Sequence, residues 1–252
     1  MAAPPVSHPA PEEPALACPG CGLPMRKLAL RAHYGRPVEV DSCSGCRLVW
    51  FDGLESVQLS TPSWVELLLA FEDGPGAISP SAPQALGCPR CRRGLGEWSN
   101  QTRWGRFRSH GCPDGHGWLQ TQTQLLSGRG LLRPPTLGER AAMATEPRAW
   151  PCLNCGAPTT GRGAACGHCD TPLMLFDLPR LFESLSPRRS QGLPVRGGRL
   201  HAWACHACAG PMDPTAQTRC PRCDHPAMAA RVGDLRPLLE ALRRAWQDAE
   251  QG

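Results

Sequence analysis

Apolar residues recur at helical spacing in three stretches of the chain: "SWVELLLAF" (63–71), "DLPRLFESL" (177–185) and "DLRPLLEAL" (234–242). In the second and third, Leu178/Leu181/Phe182/Leu185 and Leu235/Leu238/Leu239/Leu242 form single stripes, the pattern of an amphipathic helix with one face to bury. Asp177 and Asp234 stand at the N-cap position, where a carboxylate accepts from free N–H groups of the first turn. The stripes find cover on their own units, on each other or in a partner's groove. "LLRPPTLGER" (131–140) reads as a turn leading to a further short helix. Period-two alternation in "EWSNQTRWGRFRSHG" (97–111) predicts a strand with Trp104, Arg106 and Arg108 on one side and Arg103 and Phe107 on the other.

Pro- and Gly-rich stretches interrupt these patterns. Residues 1–17 read as a disordered tail, and "EDGPGAISPSAPQA" and "SPRRSQGLPVRGGR" as flexible separators. The chain divides into compact units at 18–72, 88–150, 151–186 and 201–252, with linkers at 73–87 and 187–200. With 28 Pro, 27 Gly and only 5 Phe in 252 residues, one large apolar core is not expected to hold them.

Cysteine supplies the alternative. Fourteen of the 15 fall in C-x2-C pairs: Cys18/Cys21, Cys43/Cys46, Cys88/Cys91, Cys152/Cys155, Cys166/Cys169, Cys205/Cys208 and Cys220/Cys223. The pairs combine across 21, 10 and 11 intervening residues, which places four ligands around one zinc ion at Cys18/Cys21/Cys43/Cys46, Cys152/Cys155/Cys166/Cys169 and Cys205/Cys208/Cys220/Cys223. Soft thiolates on tight turns favour zinc over hard cations. Cys88 and Cys91 are left with Cys112 alone, 20 residues on, in "CPDGH". His116 is assigned as the fourth ligand; His110 is the alternative, and a three-ligand site the remaining one. His168 and His206 lie inside knuckles already full and are expected to be exposed turn residues, while His8, His33, His201 and His225 lack partner spacing.

The stretch "CPGCGLPMRKLALRAHYGRPVEVDSCSGCRLVWFDGLE" resembles the TFIIB-type zinc-ribbon, or transcription-factor zinc-finger, family of small bacterial domains. Trp50, Phe51, Asp52, Gly53 and Glu55 fall where that family carries an aromatic, an apolar residue and Asp-Gly after the second knuckle. The resemblance covers residues 18–56, with a weaker copy at 88–120 in which Trp118 stands where Trp50 stood. It implies a zinc-stabilised ribbon with a link to transcription or nucleic acid. Residues 152–173 and 205–227 look like generic short zinc ribbons and form an internal repeat.

Charge changes once metal is counted. The formal +5 becomes about −2 when four zinc–thiolate sites are included, and residues 1–87, 88–150 and 151–252 come to about −6, +5 and −1. The basic unit is the second, where Arg103, Trp104, Arg106 and Arg108 interleave rings and cations as single-stranded nucleic acid binding requires.

The resulting expectation is a small zinc-stabilised α+β chain of four tandem zinc ribbons, β-hairpins with C-x2-C knuckles, with short following helices and four Zn2+ per chain. No signal-peptide character and no bilayer-length apolar run point to the cytoplasm, with no membrane partner. No catalytic residue is assigned, because four protein ligands close a zinc site to chemistry. The function expected is a protein-interaction or regulatory adaptor for a protein partner; the alternative is a transcription-associated protein binding single-stranded nucleic acid through the second ribbon.

Overall fold

A computed structural model describes residues 14–53, 58–71, 86–102, 105–146, 149–187 and 203–251, with the side chains at 100, 102, 105–108 and 251 left aside. Chain pairing begins ahead of the first knuckle: Leu16 accepts from the Met25 N–H (2.7 Å), and Leu86 accepts from Leu95 in the same way (2.8 Å).

The first two units build one sheet. Strands β1 (Arg26–Arg31) and β2 (Pro37–Cys43) form a hairpin between the first two knuckles, and β3 (Leu48–Asp52) leaves the second. Strands β4 (Gly96–Thr102), β5 (Gly105–Gly111) and β6 (Gly117–Thr121) repeat the arrangement. β3 and β6 pair antiparallel, from Leu48 opposite Thr121 to Asp52 opposite Gly117, giving the order β1-β2-β3-β6-β5-β4. The first two units therefore share one six-stranded sheet.

Alternation along the strands sorts residues onto two faces. Leu48, Trp50 and Leu119 pack with Cys18, Cys43, Cys46, Cys88 and Cys112 on one side; Val40, Val49 and Phe51 join the main core on the other. Trp118 does not take the place of Trp50. The register sets Leu119 beside Trp50 and Trp118 beside Phe51, so Trp118 lies on the opposite face, edge-on to Trp98 at 4.9 Å.

Five α-helices lie within the described residues. α1 (Thr61–Phe71) starts two residues before its apolar stripe, with Pro62 tolerated in the first turn, which needs no N–H from it. α2 (Gln122–Gly128) was not read from the sequence; its signal is the Thr121/Gln124 capping box, in which each side chain accepts from the other's backbone N–H. α3 (Leu137–Thr145) has the same box from Thr136 and Glu139, and Arg133 donates to both Glu139 oxygens (2.6 and 2.7 Å). Asp177 caps α4 (Leu178–Leu185) as expected, accepting from Arg180 N–H. Asp234 is not an N-cap: it lies inside α5 (Val232–Gln251), reaching back to the Ala230 and Arg231 N–H groups (both 3.1 Å).

The stripes cover one another. Leu178, Leu181 and Leu185 of α4, Leu235, Leu238, Leu239 and Leu242 of α5, and most of α1 share one buried core with the sheet. The Trp246 indole of α5 donates to the Leu185 carbonyl at the end of α4 (2.8 Å). A cleft of about 240 Å³ is left between β1, α1 and α5, lined by Leu30, Arg31, Val65, Glu66, Arg243 and Trp246.

The later units are built on two-residue strands. β7 (Leu132–Arg133) pairs with β10 (Leu175–Phe176), β8 (Trp150–Pro151) with β9 (Pro158–Thr159), and β11 (Trp203–Ala204) with β12 (Pro211–Met212). Phe176 N–H donates to Ala229 (3.0 Å), tying the third unit to the fourth. No helix among the described residues is long and apolar enough to cross a membrane.

Candidate metal centres

The local backbone explains why cysteine pairs converge. In the knuckles beginning at Cys18, Cys88, Cys152, Cys166, Cys205 and Cys220, the first cysteine's carbonyl accepts from the N–H four residues on, at 2.8–2.9 Å. Its own N–H donates five residues on, closing the turn. Such a turn needs a left-handed residue after the second cysteine, and Gly22, Arg47, Arg92, Gly156, Asp170, Ala209 and Asp224 all have φ between 53 and 75°. Some Sγ atoms also accept backbone N–H groups at 3.4 Å, as Cys18 does from Gly20 and Cys166 from His168.

"CPDGH" is an edited version of the same turn. The outer rung survives, Cys112 N–H to Gly117 carbonyl at 2.9 Å, but the inner one shortens to Gly115 N–H on the Cys112 carbonyl. The left-handed residue, Gly115 (φ 78°), moves ahead of the fourth ligand instead of following it. The ligand is then one residue further along, and the longer imidazole reaches in: His116 Nδ1 lies 3.3 Å from Cys112 Sγ and 3.9 Å from Cys88 Sγ. His110 belongs to β5 and is not in the cluster.

The structure brings together Cys18/Cys21/Cys43/Cys46, Cys88/Cys91/Cys112/His116, Cys152/Cys155/Cys166/Cys169 and Cys205/Cys208/Cys220/Cys223, the ligand atoms of each lying within 4.8 Å of one another. Sulfur–sulfur separations of 3.7 Å (Cys21–Cys43, Cys91–Cys112), 3.8 Å (Cys152–Cys169, Cys155–Cys166) and 3.6 Å (Cys205–Cys223) are far from the disulfide length of about 2 Å. They match the edge, about 3.8 Å, of a tetrahedron around an ion bound at about 2.3 Å. These four groups can therefore hold metal ions.

Their electrostatics call for a cation. Burial pushes the Cys18 thiol up to about 12, with the charge of Cys43 adding to it, and burial raises Cys46 and Cys152 further still. At Cys112 burial also acts upward, but N–H groups of His116 and Asp114 outweigh it and bring the thiol to about 6. Four charged thiolates cannot share such a space unaided; an ion at the centre lets all of them ionise.

Neighbouring units supply further charge. Arg47, beyond the second knuckle, donates to the backbone carbonyls of Leu153 (3.1 Å) and Cys152 (3.5 Å), and the Cys152 and Cys155 thiolates favour its charged form against burial. Arg90, in the third knuckle, pairs with Asp52, whose Oδ1 also accepts the Trp50 indole N–H (2.8 Å). His225 bridges to Glu146 at the end of α3 (2.7 Å). His168 is exposed, as expected, but His206 is half-buried between Trp150 and Trp203, its ring edge-on to both.

Of the residues expected to meet nucleic acid, Arg103 and Trp104 lie outside the described residues; Arg106 and Arg108 are on β5, opposite Gln101 and Ser99. Comparison with protein-family models, curated proteins and solved structures found no match to the chain. The four clusters on their knuckles fit zinc ribbons generically.

Proposed function

We propose that the chain is a zinc-binding protein in which four structural sites, on tandem zinc ribbons, hold a platform for partner binding. The observation that carries this is the closed donor set: every cluster offers four protein ligands at tetrahedral spacing. Such a site has no open position for water or substrate, and its soft thiolates select zinc among common cations. We read the protein as an adaptor in a reducing, cytoplasmic setting, not as an enzyme. The TFIIB-type resemblance of the first unit is supported by the roles of its motif residues: Trp50 is buried against the cysteines, and Asp52 anchors Trp50 and Arg90.

Because the stripes of α1, α4 and α5 are spent on one another, partner contact falls to the sheet edges β1 and β4 and to exposed hairpins. Single-stranded nucleic acid, met by the second unit, is the second reading, favoured by that unit's excess of arginine over acid. Native mass spectrometry tests the metal assignment. Four zinc ions per chain are expected, three in His116→Ala, and four again in His116→Cys; an unchanged count in His116→Ala removes His116 from the ligand set.

A further inference from the structure

Residues 1–87 are acidic in sum, yet the first hairpin is not. Between Arg26 and Glu39 stand four Lys or Arg against one acid, and that acid is taken by Lys27 (2.9 Å). Of the other described acids of this unit, Asp41 is buried, Asp52 is held by Arg90, and Glu66 on α1 lines a cleft with Arg31 and Glu250 of α5 without pairing to Arg31. Arg26, Arg31, His33 and Arg36 are exposed, and none of them pairs with a carboxylate among the described residues.

At the hairpin tip, flanked by Arg31, His33 and Arg36, is Tyr34, the only tyrosine in the chain. It is fully exposed and sits at φ 65°, ψ 22°, a left-handed position that aromatic residues seldom take. The turn around it is fixed: Ala32 N–H donates to Arg36 (2.7 Å) and Gly35 N–H to Ala32 (3.2 Å). The ring is thus presented outward on a short, closed loop, and packs on nothing among the described residues.

We propose that the tip of the β1–β2 hairpin is a contact site for single-stranded nucleic acid, with a base stacked on Tyr34 and the flanking phosphates on Arg31 and Arg36. This inference rests on the nucleic-acid reading above but assigns it to the first unit instead of the second. A ring beside free cations matches what single strands offer, an accessible base face next to a phosphate. Duplex bases are already stacked and give Tyr34 nothing to cover, and an acidic peptide would use the arginines alone.

The test uses zinc-loaded full-length chain and a fluorescein-labelled oligothymidylate of about 15 nucleotides, read by anisotropy across a salt series. Tyr34→Ala is expected to weaken binding about ten-fold, with Tyr34→Trp restoring it. Replacing Arg31 and Arg36 by Gln is expected to flatten the log–log salt slope by about 0.7 per lost phosphate contact. Incorporated 3-fluorotyrosine gives a single 19F resonance, expected to shift on addition of the oligonucleotide and not of polyglutamate. Binding that is indifferent to Tyr34→Ala but lost on neutralising Arg106 and Arg108 would overturn the inference and leave the nucleic-acid reading standing. No binding at low salt would overturn both.

Discussion

Stripping metal from the reduced protein with excess strong chelator is expected to unfold the chain as a whole, helices included. Each structural site contributes on the order of 10 kcal/mol of apparent binding free energy to folding. That is comparable with the entire net stability of a domain, about 5–15 kcal/mol. The ligands are also core residues. Cys18, Cys43, Cys46, Cys88 and Cys112 pack around Trp50 and Leu119, and Cys205 and Cys220 belong to the cluster that buries α1, α4 and α5. Far-UV circular dichroism and amide dispersion should collapse together. Helical signal and dispersion persisting at full metal loss would show that the apolar core stands without its ions.

The second large effect concerns the seam between the first two units. Gly117 starts β6 opposite Asp52 at φ 153°, and a Cβ there would lie 2.2 Å from the Phe51 carbonyl oxygen and 2.8 Å from the Trp50 ring. Neither can retreat: the carbonyl is backbone of β3, and Trp50 is fully buried. Gly117→Ala is expected to cost about 3 kcal/mol or more, at the upper end for overpacking. Gly115→Ala is the control. Gly115 is also left-handed but has open space where a Cβ would go, so the cost there is about 1–2 kcal/mol. Urea unfolding of the zinc-loaded variants separates the two; equal midpoints would mean that the β3–β6 seam does not constrain the fold.

Local signals made the metal clusters legible. A C-x2-C pair carries its own turn geometry, so spacing alone placed the cysteines, and "CPDGH" announced a variant because a histidine followed a lone cysteine at knuckle reach. The amphipathic stripes were equally readable, but not what they bury. That depends on a β3–β6 pairing between residues some 70 apart, which no periodicity records. Asp234 shows the limit of a cap signal: an aspartate ahead of a leucine stripe marks a helix start to within a few residues, and here the helix begins two residues earlier. His225–Glu146 and Arg47–Leu153 join residues 79 and 106 apart, contacts that only the finished packing creates. The charge count missed the first hairpin for a related reason. Summing residues 1–87 mixes its cations with acids that are buried, paired or located elsewhere in the segment.

Zinc K-edge X-ray absorption on the purified, reduced protein reads the ligand shell of the four sites itself. Fifteen cysteines and one histidine over four sites should give a first shell dominated by sulfur at about 2.3 Å, with a single nitrogen among sixteen ligands and no bound water. A shell rich in oxygen, or with fewer than four protein ligands per ion, would contradict four closed structural sites.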